Sequence, residues 1–192
     1  MTGNLDNACP IDGIVLHPLT PHYDERGRLV EIYRESWSLG CRSVQFNAVT
    51  SAAGVMRGVH AHIRHVDHLY VADGCMTLGL HDIRPWSATT GRSCNLVLDA
   101  AAPQIAIVPQ GVAHGFYFTQ PSLLLYGVSH YWDPADEIAC RWDCPELGIA
   151  WPAATAILSE RDQAAPDYAA FVDEFLKAWS AAYGTLSGRS TE

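Results

Sequence analysis

From about residue 28 to residue 132 the chain runs in short bursts of alternating polar and apolar positions, each closed by Gly, Pro or Asp. Arg28-Leu29-Val30-Glu31-Ile32-Tyr33 and the run Ser43 to Val49 have the two-residue period of half-buried strands. Similar bursts recur at Met56 to His62, His68 to Ala72, Met76 to Asp82, Cys94 to Leu98, Gln104 to Val108, Gly115 to Phe118 and Leu123 to His130. A short strand at Gly13 to Pro18 precedes them, and Asp24-Glu25-Arg26-Gly27 has the composition of a turn. No helical period of useful length interrupts the series. Many short strands at this spacing predict a mainly β fold, a barrel or sandwich of the jelly-roll type.

The tail changes period. After a Pro- and Gly-rich loop from Trp142 to Pro152, Tyr168, Phe171, Val172, Phe175, Leu176 and Trp179 recur at three- and four-residue intervals. That is one apolar face of a helix, capped by Asp167 and expected to pack on the barrel wall. The polar end, Leu186 to Glu192, is expected to fray. With no internal repeat and no long linker, the chain is expected to form one domain over 1–192: a barrel over about 13–152, then a loop and helix over about 153–183.

Composition narrows the partners. The 192 residues are 48% apolar and 17% charged, ordinary for a soluble globular domain. A formal charge of −9 argues against nucleic acid, whose backbone needs a basic surface. A single nucleotide diphosphate is still compatible, because a few local arginines suffice to hold it. Arginine supplies nearly all the positive charge, and Lys177 is the only lysine. No apolar run approaches the ~18 residues of a membrane span. Met1 to Pro10 lacks a basic leader, so a cytoplasmic location is expected. The six cysteines have irregular spacing and no Cys-x-x-Cys, and are expected to be free and mostly buried.

Candidate chemistry concentrates in two segments. In Arg57-Gly58-Val59-His60-Ala61-His62-Ile63-Arg64-His65-Val66-Asp67-His68, four of the nine histidines fall within nine residues. His60 and His62, two apart on a strand, share a face and are expected to point into the barrel. Pro109-Gln110-Gly111-Val112-Ala113-His114-Gly115-Phe116 shapes a turn that delivers His114 at the start of the next strand. Gly54, His60-x-His62, Asp67 and Gly74, followed by Pro109-x-Gly111 and His114, resemble the two cupin motifs. That resemblance implies a cupin-type jelly roll and, as the alternative function, a metal-dependent oxygenase or isomerase whose His60, His62, Asp67 and His114 hold Zn, Fe, Ni or Mn. Asp67 stands where the motif has Glu, and Pro103 and Phe118 also depart from it.

A longer resemblance runs from about Gly13 to Asp162. Asp24-Glu25-Arg26-Gly27, Glu31, Gln45-x-Asn47, Arg57-Gly58-Val59-His60, Pro109 to Phe116, Tyr126, the run Trp142 to Pro152, and Leu158-Ser159-x-x-Asp162 occur in order. Together they resemble the dTDP-4-dehydrorhamnose 3,5-epimerases, enzymes of deoxysugar biosynthesis acting on nucleotide-linked keto-sugars. The resemblance implies an isomerase without a cofactor and a homodimer. It assigns His60 as the base beside the ketone, Asp162 as its orienting partner and Tyr126 as the acid on the opposite face. On the residues alone, Tyr126 also reads as a core tyrosine and Asp162 as a helix cap. The resemblance further implies substrate contacts from Arg26, Glu31, Gln45, Asn47, Arg57, His114, Trp132 and Glu137, with Arg26 and Arg57 on the diphosphate and Trp132 near the nucleotide. Residues near Arg26 and Glu31 are expected to reach the neighbouring subunit's pocket.

One departure changes the picture. The family places a lysine where the developing enolate needs positive charge, and Asp67 stands there in this chain. A carboxylate would repel that charge. Three outcomes follow: His62, His65, His68 or Arg64 takes over, a divalent metal supplies the charge, or the family reaction is lost and a non-catalytic sugar-binding cupin remains. The first two conflict over His60, because an imidazole whose lone pair is on a metal cannot also take a proton.

Overall fold

In the computed structural model the described residues are 9–37 and 39–184. The readings made for the first eight residues and for Leu186 to Glu192 lie outside them. The chain forms β1 (Val15–Pro18), β2 (Pro21–Asp24), β3 (Gly27–Val30), β4 (Gln45–Ser51), β5 (Met56–Ala61) and β6 (Asp67–Asp73). It continues through β7 (Cys75–Asp82), β8 (Ser93–Asp99), β9 (Gln104–Val108), β10 (Val112–Phe118), β11 (Ser122–Val128) and β12 (Ile138–Ala139). Two helices, α1 (Glu160–Gln163) and α2 (Tyr168–Tyr183), close the described chain.

Two five-stranded sheets, in the orders β1-β9-β6-β11-β4 and β12-β5-β10-β7-β8, carry antiparallel ladders. Leu69, Val71, Leu78, Leu96, Phe118 and Leu124, drawn from both sheets, fill the space between them. This is the jelly-roll sandwich that the strand pattern predicts. The hairpin β2–β3 stands apart as a sheet of its own, with Tyr23 and Leu29 exposed.

The second sheet is covered on its outer face as well. Phe171 and Phe175 of α2, both fully buried, pack with Val59, Ala61, Ala113 and Tyr117. Asp167 caps α2, its Oδ1 accepting from the Ala170 N–H at 3.0 Å, so the predicted cap and apolar face both hold. Burial on both faces explains why β7 reads as a nearly continuous apolar run: Leu78 and Leu80 face inward, while Trp151 and Ile149 press on Gly79 from outside. No helix among the described residues is long and apolar enough to cross a membrane.

Strand alternation decides what faces the cavity. On β6, Asp67, Leu69 and Val71 point inward, and Tyr70 joins a separate outer cluster. On β10, His114 and Phe116 point inward, and Ala113 and Tyr117 point out. The β5–β10 register shifts between His114↔His60 and Phe116↔Arg57, so β5 carries an extra residue there. Gly58 occupies this bulge with φ +98°, and a Cβ on it would lie 2.9 Å from the His114 carbonyl oxygen. The bulge therefore needs glycine, and it turns both Arg57 and His60, three residues apart, into one cavity.

Several boundaries differ from expectation. β3 stops at Val30, leaving Glu31 outside it, and β10 starts at Val112, so His114 lies within the strand. β2, β12 and α1 were not legible, being only four, two and four residues long. All six cysteines are free, as expected, but only Cys140 and Cys144 are buried.

Candidate active site

At one end of the sandwich a cavity of about 190 Å³ opens between the sheets. His60, His62, His65, Asp67, His114, Glu137 and Arg161 form its polar lining; Val49, Phe116 and Leu124 form an apolar wall, with Arg57, Tyr126 and Trp132 completing it. A wider cleft of about 510 Å³ lies on the other side of His60. It shares Arg57, His60 and Arg161 with the first and also borders Ser159 and Asp162.

His60 is held at both ring nitrogens. Nε2 lies 2.8 Å from Asp162 Oδ1 and Nδ1 lies 3.0 Å from Glu137 Oε2. Burial pushes this imidazole toward its neutral form, but the Asp162 and Glu137 carboxylates outweigh burial and hold its pKa above the ordinary value. Asp162 has two roles. It is the third helical residue of α1, where its N–H donates to Ser159 Oγ at 3.1 Å while the Ser159 hydroxyl donates to Oδ2 at 2.8 Å. Ser159, not Asp162, is the cap of α1, and the Asp162 carboxylate reaches both the Ser159 hydroxyl and His60. Burial disfavours its charge, yet His60 and Ser159 hold its carboxyl below the usual value.

Glu137 is tied from several sides. The Trp132 indole N–H donates to Oε1 at 2.8 Å, and Arg161 Nη2 donates to Oε2 at 3.2 Å. Burial works against its charge, but His60 and His62 keep its carboxyl well below the ordinary range. The chain of contacts reaches further: Gln45 Oε1 accepts from the Trp132 backbone N–H at 3.1 Å, and Gln45 Nε2 donates to Asn47 Oδ1 at 2.9 Å. Asn47 Nδ2 is buried without a partner, beside Tyr126 across the β4–β11 ladder. Burial pushes the Tyr126 phenol up, with Asp67 and Glu137 adding to the effect, so it stays protonated.

The metal set that the cupin motifs imply is corrected. The donor groups among the described residues are His62, Asp67 and His114, and His62, His65 and Asp136; His60 belongs to neither. Two carboxylates already occupy its nitrogens, so the conflict over His60 disappears. Burial, with His114 and His65 nearby, keeps His62 well below the usual imidazole value, and burial likewise lowers His114 and raises Asp67.

Other predicted residues lie elsewhere. Arg26 pairs with Asp24 and borders a separate cleft with Tyr23 and Arg28; Glu31 pairs with Arg34. Neither reaches the His60 cavity within one chain, because the β2–β3 hairpin holds Arg26 away from it and Glu31 follows β3. His68 lies on the opposite face of β6 from Asp67, with Nδ1 2.8 Å from Ser43 Oγ, and Arg64 lies 3.8 Å from Asp133. Lys177 is an exposed residue of α2 paired with Asp173 at 2.5 Å. Sequence reasoning missed Arg161 and Asp136, and carried Ser159 only as part of the Leu158-to-Asp162 run. Arg161 precedes Asp162 in that run, and the adjacency was its only signal.

The model of the dTDP-4-dehydrorhamnose 3,5-epimerase family matches residues 8–170. An enzyme of that name from Mycobacterium tuberculosis is 35% identical over 164 residues, 78% of this chain and 80% of its own. The structure of a 3,5-epimerase from Legionella pneumophila in complex with dTDP-4-keto-L-rhamnose superposes with a TM-score of 0.81 at 28% identity, covering 87% of this chain and 94% of the other. A 3′-monoepimerase from Streptomyces bikiniensis in complex with dTDP-quinovose gives 0.75 at 26% identity, over 89% and 98%. Matched over most of its length by that family's model, the chain belongs to the dTDP-4-dehydrorhamnose 3,5-epimerase family.

Proposed function

We propose that this protein inverts one or both carbons flanking the ketone of a dTDP-linked 4-keto-6-deoxyhexose, with His60 removing the proton and Tyr126 returning one from the other face. The observation that carries this is the pairing of His60 Nε2 with Asp162 at 2.8 Å inside a cavity that Tyr126 also lines. With Asp162 accepting from Nε2–H, the lone pair is left on Nδ1, and the carboxylate stabilises the imidazolium once a proton arrives. Glu137 must give up Nδ1 for a C–H bond to reach it, after which its charge balances the imidazolium. The protonated Tyr126 phenol is in the state an acid requires.

Binding follows from the same lining. Arg57 and Arg161 line both the cavity and the wider cleft, which supports their holding a diphosphate through paired N–H donors. Trp132, partly exposed and fixed by Gln45 and Glu137, offers a face for stacking. Asn47 has a spare donor for the ligand. The proton exchange between His60 and Tyr126 uses no cofactor of its own. The protein acts as a homodimer, in which Arg26 and Glu31 serve the neighbour's pocket.

The test is solvent exchange. In D2O, dTDP-4-keto-6-deoxyglucose should gain deuterium at C3 or C5 with inversion, read by NMR. Tyr126→Phe should keep the wash-in that His60 drives and lose inversion by about 10²-fold or more. No wash-in from the wild type into any dTDP-linked 4-keto-sugar would overturn the proposal.

A further inference from the structure

The strands hold His60 and His114, but His62 and His65 stand outside the β-ladders. β5 ends at Ala61 and β6 begins at Asp67. The loop between them nevertheless carries two buried imidazoles into the cavity, stacked with ring centroids 3.9 Å apart. A backbone outside a ladder must find its partners elsewhere. Asp136 accepts from the Ile63 and Arg64 amides at 3.1 and 3.2 Å. The His62 carbonyl accepts from the Gly111 N–H and the Arg64 carbonyl from Gln110 Nε2, both at 2.9 Å. The Ile63 carbonyl, between the two histidines, accepts from the Tyr183 hydroxyl at 2.7 Å.

Tyr183 is the last residue of α2 and lies 120 residues from Ile63. It continues the apolar face of the helix past Trp179, with ring centroids 4.6 Å apart, and Trp179 in turn packs on Trp86 at 4.2 Å. Ile63 belongs to the same buried cluster as Phe171 and Phe175, so α2 and the loop share packing as well as this hydrogen bond. Tyr183 lies past residue 170, where the match to the family's model ends, so family membership says nothing of it. We infer that Tyr183 is a positioning residue: its hydroxyl sets the loop that aims His62 and His65 into the cavity, and the end of α2 thereby serves the reaction.

Those two rings stand beside the carboxylate that occupies the position of the family's lysine. His65 Nε2 lies 3.6 Å and His62 Nε2 3.8 Å from Asp67 Oδ2. Because the rings are stacked, a shift of one displaces the other. Without the Tyr183 hydroxyl, the Ile63 carbonyl loses its donor and the peptide is free to turn toward another, carrying both imidazoles with it. A misplacement of about 1 Å in such a lining costs up to about 10²-fold in rate. The catalytic consequence rests on the proposed sugar chemistry; the placement of the loop does not.

The test is Tyr183→Phe in the full-length protein, which removes the hydroxyl and keeps the ring. Its melting temperature should fall by about 2–6 °C. In the solvent-exchange assay, run well below that melt, kcat should drop about tenfold or more while KM stays within about twofold of wild type. Trp86→Ala loosens the same aromatic packing without touching the Ile63 carbonyl, so it should lower the melt and leave kcat within about twofold. Histidine side-chain NMR gives a second readout. In Tyr183→Phe the His62 and His65 signals should move. The signal of His81, whose Nε2 lies 2.8 Å from the Tyr168 hydroxyl at the other end of α2, should stay in place. An unchanged kcat, or a His81 shift as large as the other two, would overturn the inference, because α2 would then only pack. If Tyr183→Phe fails to fold, Tyr183→Met, which also lacks a donor, is read the same way. If the wild type exchanges no dTDP-linked 4-keto-sugar, the sugar reading falls and the histidine signals alone decide the positioning.

Discussion

Replacing Asp162 with asparagine turns the orientation of one amide into a kinetic measurement. In the wild type, Oδ2 accepts from the Ser159 hydroxyl at 2.8 Å and Oδ1 faces His60 Nε2 at 2.8 Å. Asparagine keeps the serine bond only by placing its oxygen on the serine side, which points its NH2 at Nε2. That amide donates, so Nε2 must become the acceptor and the ring proton moves to Nδ1, the nitrogen that needs a lone pair for abstraction. Glu137 at 3.0 Å from Nδ1 accepts that proton readily and locks the unproductive tautomer. Histidines held in the wrong tautomer by such a change lose about 10³- to 10⁴-fold in rate. At 1.36 kcal/mol per tenfold that is roughly 4–5.5 kcal/mol of lost transition-state stabilisation. The Ser159 cap survives, so global stability should change by less than about 1 kcal/mol. Deuterium wash-in at C3 and C5, followed by NMR, measures the rate, and a thermal melt measures the fold. Exchange within about tenfold of wild type, in a variant that melts normally, would show that Asp162 does not set the tautomer.

Two other perturbations test the surroundings of His60. Glu137→Gln removes one of the two carboxylates that raise its pKa, so the neutral, proton-accepting form should appear at lower pH. The acid limb of kcat/KM then moves down the pH axis relative to wild type; an upward move or an unchanged limb contradicts the assignment. Gly58→Ala forces a side chain into φ +98° and against the His114 carbonyl oxygen at 2.9 Å. It should cost about 1–3 kcal/mol in chemical denaturation and lose activity even where folded, because the bulge aims both Arg57 and His60.

How much of this was legible depends on distance along the chain. β4 through β11 announced themselves because a two-residue period needs only a few residues to show. β2, β12 and α1 span four residues or fewer, and in none of them do apolar and polar positions repeat often enough to stand out. The twofold spacing of His60 and His62 correctly put both in the cavity, but spacing cannot say what meets a side chain once it arrives. His60 is claimed by Glu137 and Asp162, and Asp162 lies 102 residues away, so no local pattern could remove His60 from a metal set. His65 sits outside the strand alternation, in the turn before β6, and only the fold brings it to Asp67. Lys177 could be dismissed from the sequence because it is the only lysine and lies far along the chain from Asp67.

Asp136 ties these features to one short stretch of backbone. Its carboxylate accepts from the Ile63 and Arg64 amides and from His65, and its own carbonyl accepts from His62. The next residue, Glu137, grips His60. A single tight turn at 134–136 therefore suspends both the proton-transfer histidine and the imidazole cluster, like two balances hung from one beam. Neither can be retuned alone: a substitution that tilts this turn displaces both, so changes on the two sides should combine non-additively.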